Sequence, residues 1–158
     1  MPDNGCTGFS LLDHIPALMP EAVAWAEEHS AIIARDGIRL SDAGIDLARR
    51  VGVALPKSIR ILEVERIPSP TSPMLAAAVA ARGFLTTTTA GLTLGHSIYI
   101  RTGEGSVRLC SHEFRHVAQY EHFGSIRAFL NEYLVQVGAV GYHAAALEAD
   151  ARAHEVAG

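Results

Sequence analysis

The order of apolar and polar positions divides the chain into helical and extended stretches. Pro20 fits the first turn of a helix that runs through Trp25 towards Arg35 and stops at Asp36-Gly37. Ser41 or Asp42 caps a shorter helix through Ile45, Leu47 and Ala48, ending near Gly52. Ser58–Ile67 is rich in isoleucine and valine and reads as a strand. Its alternation slips between Ile61 and Leu62, so it carries a bulge or is covered on both faces. Pro68, Pro70 and Pro73 break the chain before a short alanine-rich helix from Met74 to about Arg82, which Gly83 can end. Four β-branched threonines, Thr86–Thr89, form an extended lead-in. Leu92–Arg101 has the cleanest period of two: Leu92, Leu94, His96, Ile98 and Ile100 share one face. After the turn Thr102–Gly105 the pattern is helical nearly to the end, punctuated at Gly124-Ser125 and again between Gly138 and Gly141.

The pattern therefore predicts one α+β domain over 1–158. A helical part covers about 1–55, and a small sheet followed by helices covers about 56–158. Composition narrows the picture. The net charge of -4 gives no broad electrostatic footprint for nucleic acid, and the short second helix lacks a basic face, so a helix-turn-helix reading is disfavoured. No apolar window is long enough for a bilayer, and the N-terminal Met1–Gly5 stretch has no basic residue or apolar run of a secretory signal. Cys6 and Cys110 are expected to be reduced thiols in a cytoplasmic protein, Cys110 acting as a small buried hydrophobe. Histidine is unusually frequent: eight, against a single lysine, Lys57.

The chemistry lies in Cys110–Tyr120, which contains His112-Glu113-Phe114-Arg115-His116. On a helix, residues four apart stand one above the other, so both imidazoles can reach one ion. Zn2+ accepts neutral histidine nitrogens and in catalytic sites keeps one position open for water. Glu113, one residue after the first ligand, is placed to act as general base on that water. His122 has the spacing of a third histidine ligand, but that arrangement needs a helix-breaking glycine where Gln119 stands. On a continuing helix His122 lies about 9 Å up the axis from His116 and turned about 240° away. Glu148 is the better third ligand. Ala144, Ala145 and Ala151 flank it, and small residues let its helix approach the His112–His116 helix closely. Asp150 points away and suits a salt bridge.

His112–His116, followed by Leu147-Glu148-Ala149-Asp150-Ala151, resembles the gluzincins, zinc peptidases with two motif histidines and a later helical glutamate. The closer resemblance is to small bacterial minimal-gluzincin proteins, supported by Tyr120-Glu121 and by the Ala90–Gly95 segment. It covers Ala90 to about Ala153, and the N-terminal half only loosely. It implies a zincin-like fold, with His112, His116 and Glu148 as zinc ligands and Glu113 as base. It further implies a metal-activated water that cleaves a peptide or protein substrate. The alternative is a non-catalytic zinc- or peptide-binding module on the same fold. The chain departs from many members in carrying Arg152 four residues after Glu148, where they place an acid. Gluzincins often stabilise the oxyanion with a tyrosine or histidine, for which Tyr142 and His143 are candidates. The strand before the motif helix would pair with extended peptide. His96 is expected to be a satisfied core histidine, and His14, His29 and His154 to lie on the surface.

Overall fold

The computed structural model describes residues 10–158, and Cys6 lies outside them. Among the described residues the protein is α+β, with six helices and a four-stranded mixed sheet. The first helix, α1 (Leu11–Asp36), is longer than its prolines imply. It starts after Ser10 and runs through Pro16 and Pro20, so Pro20 is an interior residue and not a first-turn residue. The cause is tertiary. Leu11, Ile15, Leu18, Met19 and Ala22 are all buried at helical spacing. Their burial outweighs the helix hydrogen bonds that the prolines remove.

A two-residue strand, β1 (Ile38–Arg39), follows in a stretch expected only to link two helices. Next comes α2 (Asp42–Arg50), where the Ser41 hydroxyl accepts from the Gly44 N–H. Beyond a 3-10 turn at Pro56–Ser58, β2 (Arg60–Val64) pairs antiparallel with β1. Its other edge pairs in parallel with β4 in a continuous register from Arg60↔Ser97 to Val64↔Arg101. The slip at Ile61-Leu62 is therefore a strand covered on both faces, without a bulge. Ile61 packs into one apolar cluster, and Leu62 and Val64 pack into the other. The helix α3 (Pro73–Ala81) has Pro73 in its first turn and Ser72 as its cap.

Two expectations for the middle of the chain are corrected. Thr86–Thr89 is not an extended lead-in but a turn closed by the Thr89 N–H on the Thr86 carbonyl. Leu92–Arg101 is not one strand but a hairpin of β3 (Gly91–Leu94) and β4 (Ser97–Arg101). Its two-residue loop is Gly95-His96, and Gly95 has φ of 72°. That backbone is open to glycine at little cost and turns the strand with the correct twist. Parity flips across the loop. Leu92, Leu94 and Tyr99 join the cluster beside α1, while Ile98 and Ile100 join the other. His96 is a loop residue and not a core one; its Nε2 lies 2.8 Å from Glu121 Oε1.

The sheet order is β1-β2-β4-β3, so β3 is an edge strand and β4 is paired on both sides. The chain closes with α4 (Val107–Phe123), α5 (Ile126–Val140) and α6 (Ala146–Ala153). One apolar cluster joins α1, α3 and α5 to one face of the sheet. The other joins α2 and α4 to the opposite face, and half-buried Cys110 packs there as a small apolar group. None of the helices is long and apolar enough to cross a membrane, among the described residues.

Candidate metal centre

The helix α4 begins at Ser106, whose hydroxyl accepts from the Leu109 N–H, and continues unbroken through Gln119 to Gly124. Phe114 and Val117 fasten one side of it into the core. This fixes His112 and His116 on the side facing α6, and both are buried. Ala145, which caps α6, and Ala151 within it are fully buried and let the two helices close up, although Ala144 is exposed. Glu148 thereby reaches the pair. Its Oε2 is 3.1 Å from His112 Nε2 and its Oε1 is 3.1 Å from His116 Nε2. The two Nε2 atoms are 3.2 Å apart.

The groups behind these three decide which atoms face inward. Gln119 donates through Nε2 to the Leu147 carbonyl and to Asp150 Oδ2, two acceptors that fix its amide orientation. Gln119 Oε1 must then accept from His116 Nδ1, at 2.8 Å. On the other ring, His112 Nδ1 donates to Glu155 Oε1 at 3.0 Å. With both Nδ1 atoms protonated, each neutral imidazole turns a bare Nε2 lone pair towards its neighbour and towards the Glu148 carboxylate. Tyr133 adds a donor from outside, its hydroxyl giving a 2.7 Å bond to Glu148 Oε1. Lone pairs converging in this way need a cation among them. His112, His116 and Glu148, all buried, are therefore a group that can hold a metal ion.

Without an ion, protons held on the Nε2 atoms by Glu148 fill the place of those lone pairs. Burial alone would lower the His116 pKa, but its hydrogen bond to Glu148 and that carboxylate's charge raise it to about 9. His112 is raised for the same reason, again against burial. Burial would raise Glu148, yet hydrogen bonds from the two histidines hold it far below the ordinary carboxylate range. A metal ion would take the place of those protons.

Glu113 stands next to this group, and it too is buried. Thr93 Oγ1 donates to its Oε2 at 2.7 Å. Gly91 leaves room for its other oxygen, since a Cβ there would lie 2.5 Å from Glu113 Oε1. Burial raises the Glu113 pKa, outweighing the pull of His116 and His112. A cavity of about 490 Å³ is lined by Glu113, by His112, His116 and Glu148, and by the edge strand β3.

Of the other sequence candidates, two line the same cavity and the rest fall elsewhere. His122 is exposed at the end of α4, and Asp150 binds Arg115 and Gln119. Tyr142 and His143 both line the cavity, with His143 exposed. His29 is half-buried and not a free surface residue, its Nδ1 lying 2.8 Å from the Tyr99 hydroxyl. His154 turns back to the Asp150 carbonyl, and His14 to that of Ser10. Sequence reasoning missed Glu155, Tyr133, Thr93 and the positioning part of Gln119. Glu155 supplies the acid that Arg152 does not; Arg152 instead donates to the His143 carbonyl. The available signal for Thr93 was the Gly95-His96 loop, which reverses the side on which that residue emerges. No protein-family model, curated protein or solved structure matches the chain.

Proposed function

We propose that the protein is a zinc-dependent peptidase of minimal gluzincin type on a zincin-like fold. The observation that carries this reading is the convergence of two histidine Nε2 lone pairs and one carboxylate beside a separate buried acid, Glu113, in one cavity. Taking one donor atom from each residue, the three lie within 4.8 Å of one another, close to the separation that ligands about 2.0–2.1 Å from one ion can span. A bound zinc ion would polarise the scissile carbonyl and lower the pKa of its water.

The chain's own residues supply the rest. Glu113, raised by burial, takes the proton of the attacking water and passes it to the departing amine. The Thr93 hydroxyl holds one Glu113 oxygen and leaves the other to accept. Tyr142, half-buried in the cavity wall and kept protonated by burial, is also hydrogen-bonded to Glu148 and would have to turn from that carboxylate to donate to the developing oxyanion. The Tyr133 hydroxyl is held on Glu148 at 2.7 Å. An extended peptide would lie along β3, the edge strand of the sheet beside the cavity.

Metal analysis and turnover together test the reading. The wild type should hold about one equivalent of zinc and cleave members of a peptide library. Glu148→Ala should lose the zinc. Glu113→Gln should keep it while hydrolysis falls on the order of 10²-fold or more. A wild type without zinc would defeat the proposal. A zinc-loaded wild type no more active than Glu113→Gln would make the protein a non-catalytic binding module.

A further inference from the structure

The two histidines of the metal-binding group are backed differently. His112 has a carboxylate, Glu155, on its outer nitrogen, whereas His116 has a neutral amide, Gln119. A carboxylate accepts whichever way it turns, but an amide has one accepting end and one donating end. Turned over, Gln119 would set its Nε2 against His116 Nδ1. That nitrogen would then have to accept, the ring proton would sit on Nε2, and an N–H would point where a metal ligand needs a lone pair. The direction of one amide therefore decides whether His116 can serve as a ligand. Two acceptors hold its donating end, the Leu147 carbonyl at 2.9 Å and Asp150 Oδ2 at 2.8 Å. Asp150 is gripped in turn by Arg115, whose Nε donates to Oδ2 at 2.7 Å and whose Nη2 donates to Oδ1 at 3.2 Å. Arg115 Nη1 is anchored on the Val51 carbonyl at 2.9 Å, at the end of α2. Gly52 leaves room for that contact, since a Cβ there would stand 2.9 Å from Nη1.

We propose that Arg115 and Asp150 are positioning residues for the metal group. With the Leu147 carbonyl they lock the Gln119 amide, and through it they keep the His116 Nε2 lone pair free for an ion. The inference rests on the zinc-site part of the proposed function and not on peptide hydrolysis. Arg115, Asp150 and Gln119 do not line the cavity, so they act through His116 and not on a substrate. The Leu147 carbonyl alone is a neutral acceptor, whereas a carboxylate held by a two-pronged guanidinium is a charged and fixed one. An oxygen of the flipped amide would face both acceptors at once, which is what gives the relay its direction.

Zinc affinity of the full chain, measured by chelator competition, tests the relay. Asp150→Ala removes the charged acceptor and should weaken zinc binding about tenfold to hundredfold. Arg115→Met leaves the acid in place but ungripped and should weaken it about threefold to tenfold; it carries the same test where Asp150→Ala does not fold. Asp150 also ties α6 to α4, so a rescue separates positioning from support of the fold. A carboxylate at position 119 accepts from His116 Nδ1 in either orientation. Adding Gln119→Glu to Asp150→Ala or to Arg115→Met should therefore restore zinc affinity to within about threefold of the wild type. In nitrogen-15 spectra of the zinc-loaded protein, the His116 Nδ1 proton should exchange with water faster in Asp150→Ala and slow again in the double variant. Zinc held equally by the wild type, Asp150→Ala and Arg115→Met overturns the relay and leaves the peptidase reading standing. A loss that Gln119→Glu does not restore also overturns it. A wild type that binds zinc and shows the rescue, yet cleaves no peptide, supports the relay and overturns the peptidase reading.

Discussion

His112 is held from two sides: Glu148 takes its inner nitrogen and Glu155 its outer one. Glu155 is itself paired with Arg108, and that guanidinium holds its carboxyl low against the effect of burial. A carboxylate on the outer nitrogen fixes the tautomer and makes the inner lone pair more basic. Glu155→Gln keeps the shape but removes the charge, and zinc affinity measured by chelator competition should fall about tenfold to hundredfold. Arg108 is largely exposed, so Arg108→Ala should change it much less. His112, His116 and Glu148 were legible as residues because helical spacing and small neighbours are local signals. Glu155 and Tyr133 were not. Glu155 follows the last helix, and Tyr133 sits on α5 among other apolar positions, so only tertiary packing aims either at the site.

Among the elements, α4, α5 and α6 were legible from periodicity and glycine punctuation, and the early strand β2 from its isoleucine and valine content. The hairpin was not. Its ten residues keep an unbroken period of two, and the Gly95-His96 loop inserts two residues without disturbing that period. A period therefore cannot reveal the fold-back, although Gly-X at the first loop position is a turn signal in its own right. The misplaced faces of His96 and Thr93 both follow from this one omission. Because Gly95 has φ of 72°, an added Cβ is strained whatever the space around it. Gly95→Ala should cost about 1–2 kcal/mol, read as a lower urea midpoint at unchanged slope. The helix α1 was only partly legible for the opposite reason. Proline is a strong local signal, and here the burial of Leu11, Ile15 and Leu18 overrides it.

At the scale of the whole molecule, folding and metal loading are linked through the same buried charges. In metal-free protein His116 is raised from 6.5 to about 9, so its contribution to stability is complete below about pH 6.5 and is lost as pH rises through about 9. Glu148 is lowered, so its contribution is present above about pH 4.5 and is lost as pH falls below that. Chelator-treated protein should accordingly be most stable between those limits, with a thermal midpoint that drops from pH 6.5 to 9. On the proposed zinc reading the metal would replace the protons, with an affinity that grows as they leave, so the loaded protein should show no such drop. Calorimetry on both forms across the window checks this.

The shape of α6 carries one more consequence, for how the molecule opens. Only Glu148 and Ala151 of its eight residues are buried, and half-buried Leu147 is its one larger apolar contact with the core. A helix this short does not persist alone in water. Its hold on α4 is polar: Glu148 at the histidines, and Asp150 on Arg115 and Gln119. In the metal-free protein α6 should thus detach as a unit well before global unfolding, its amides exchanging with deuterium faster than those of α4 and α5. A metal held by His112, His116 and Glu148 would bar that detachment, and exchange across 146–153 should slow selectively when zinc is added. The group proposed to hold the metal would then also be the latch on the cavity's last wall.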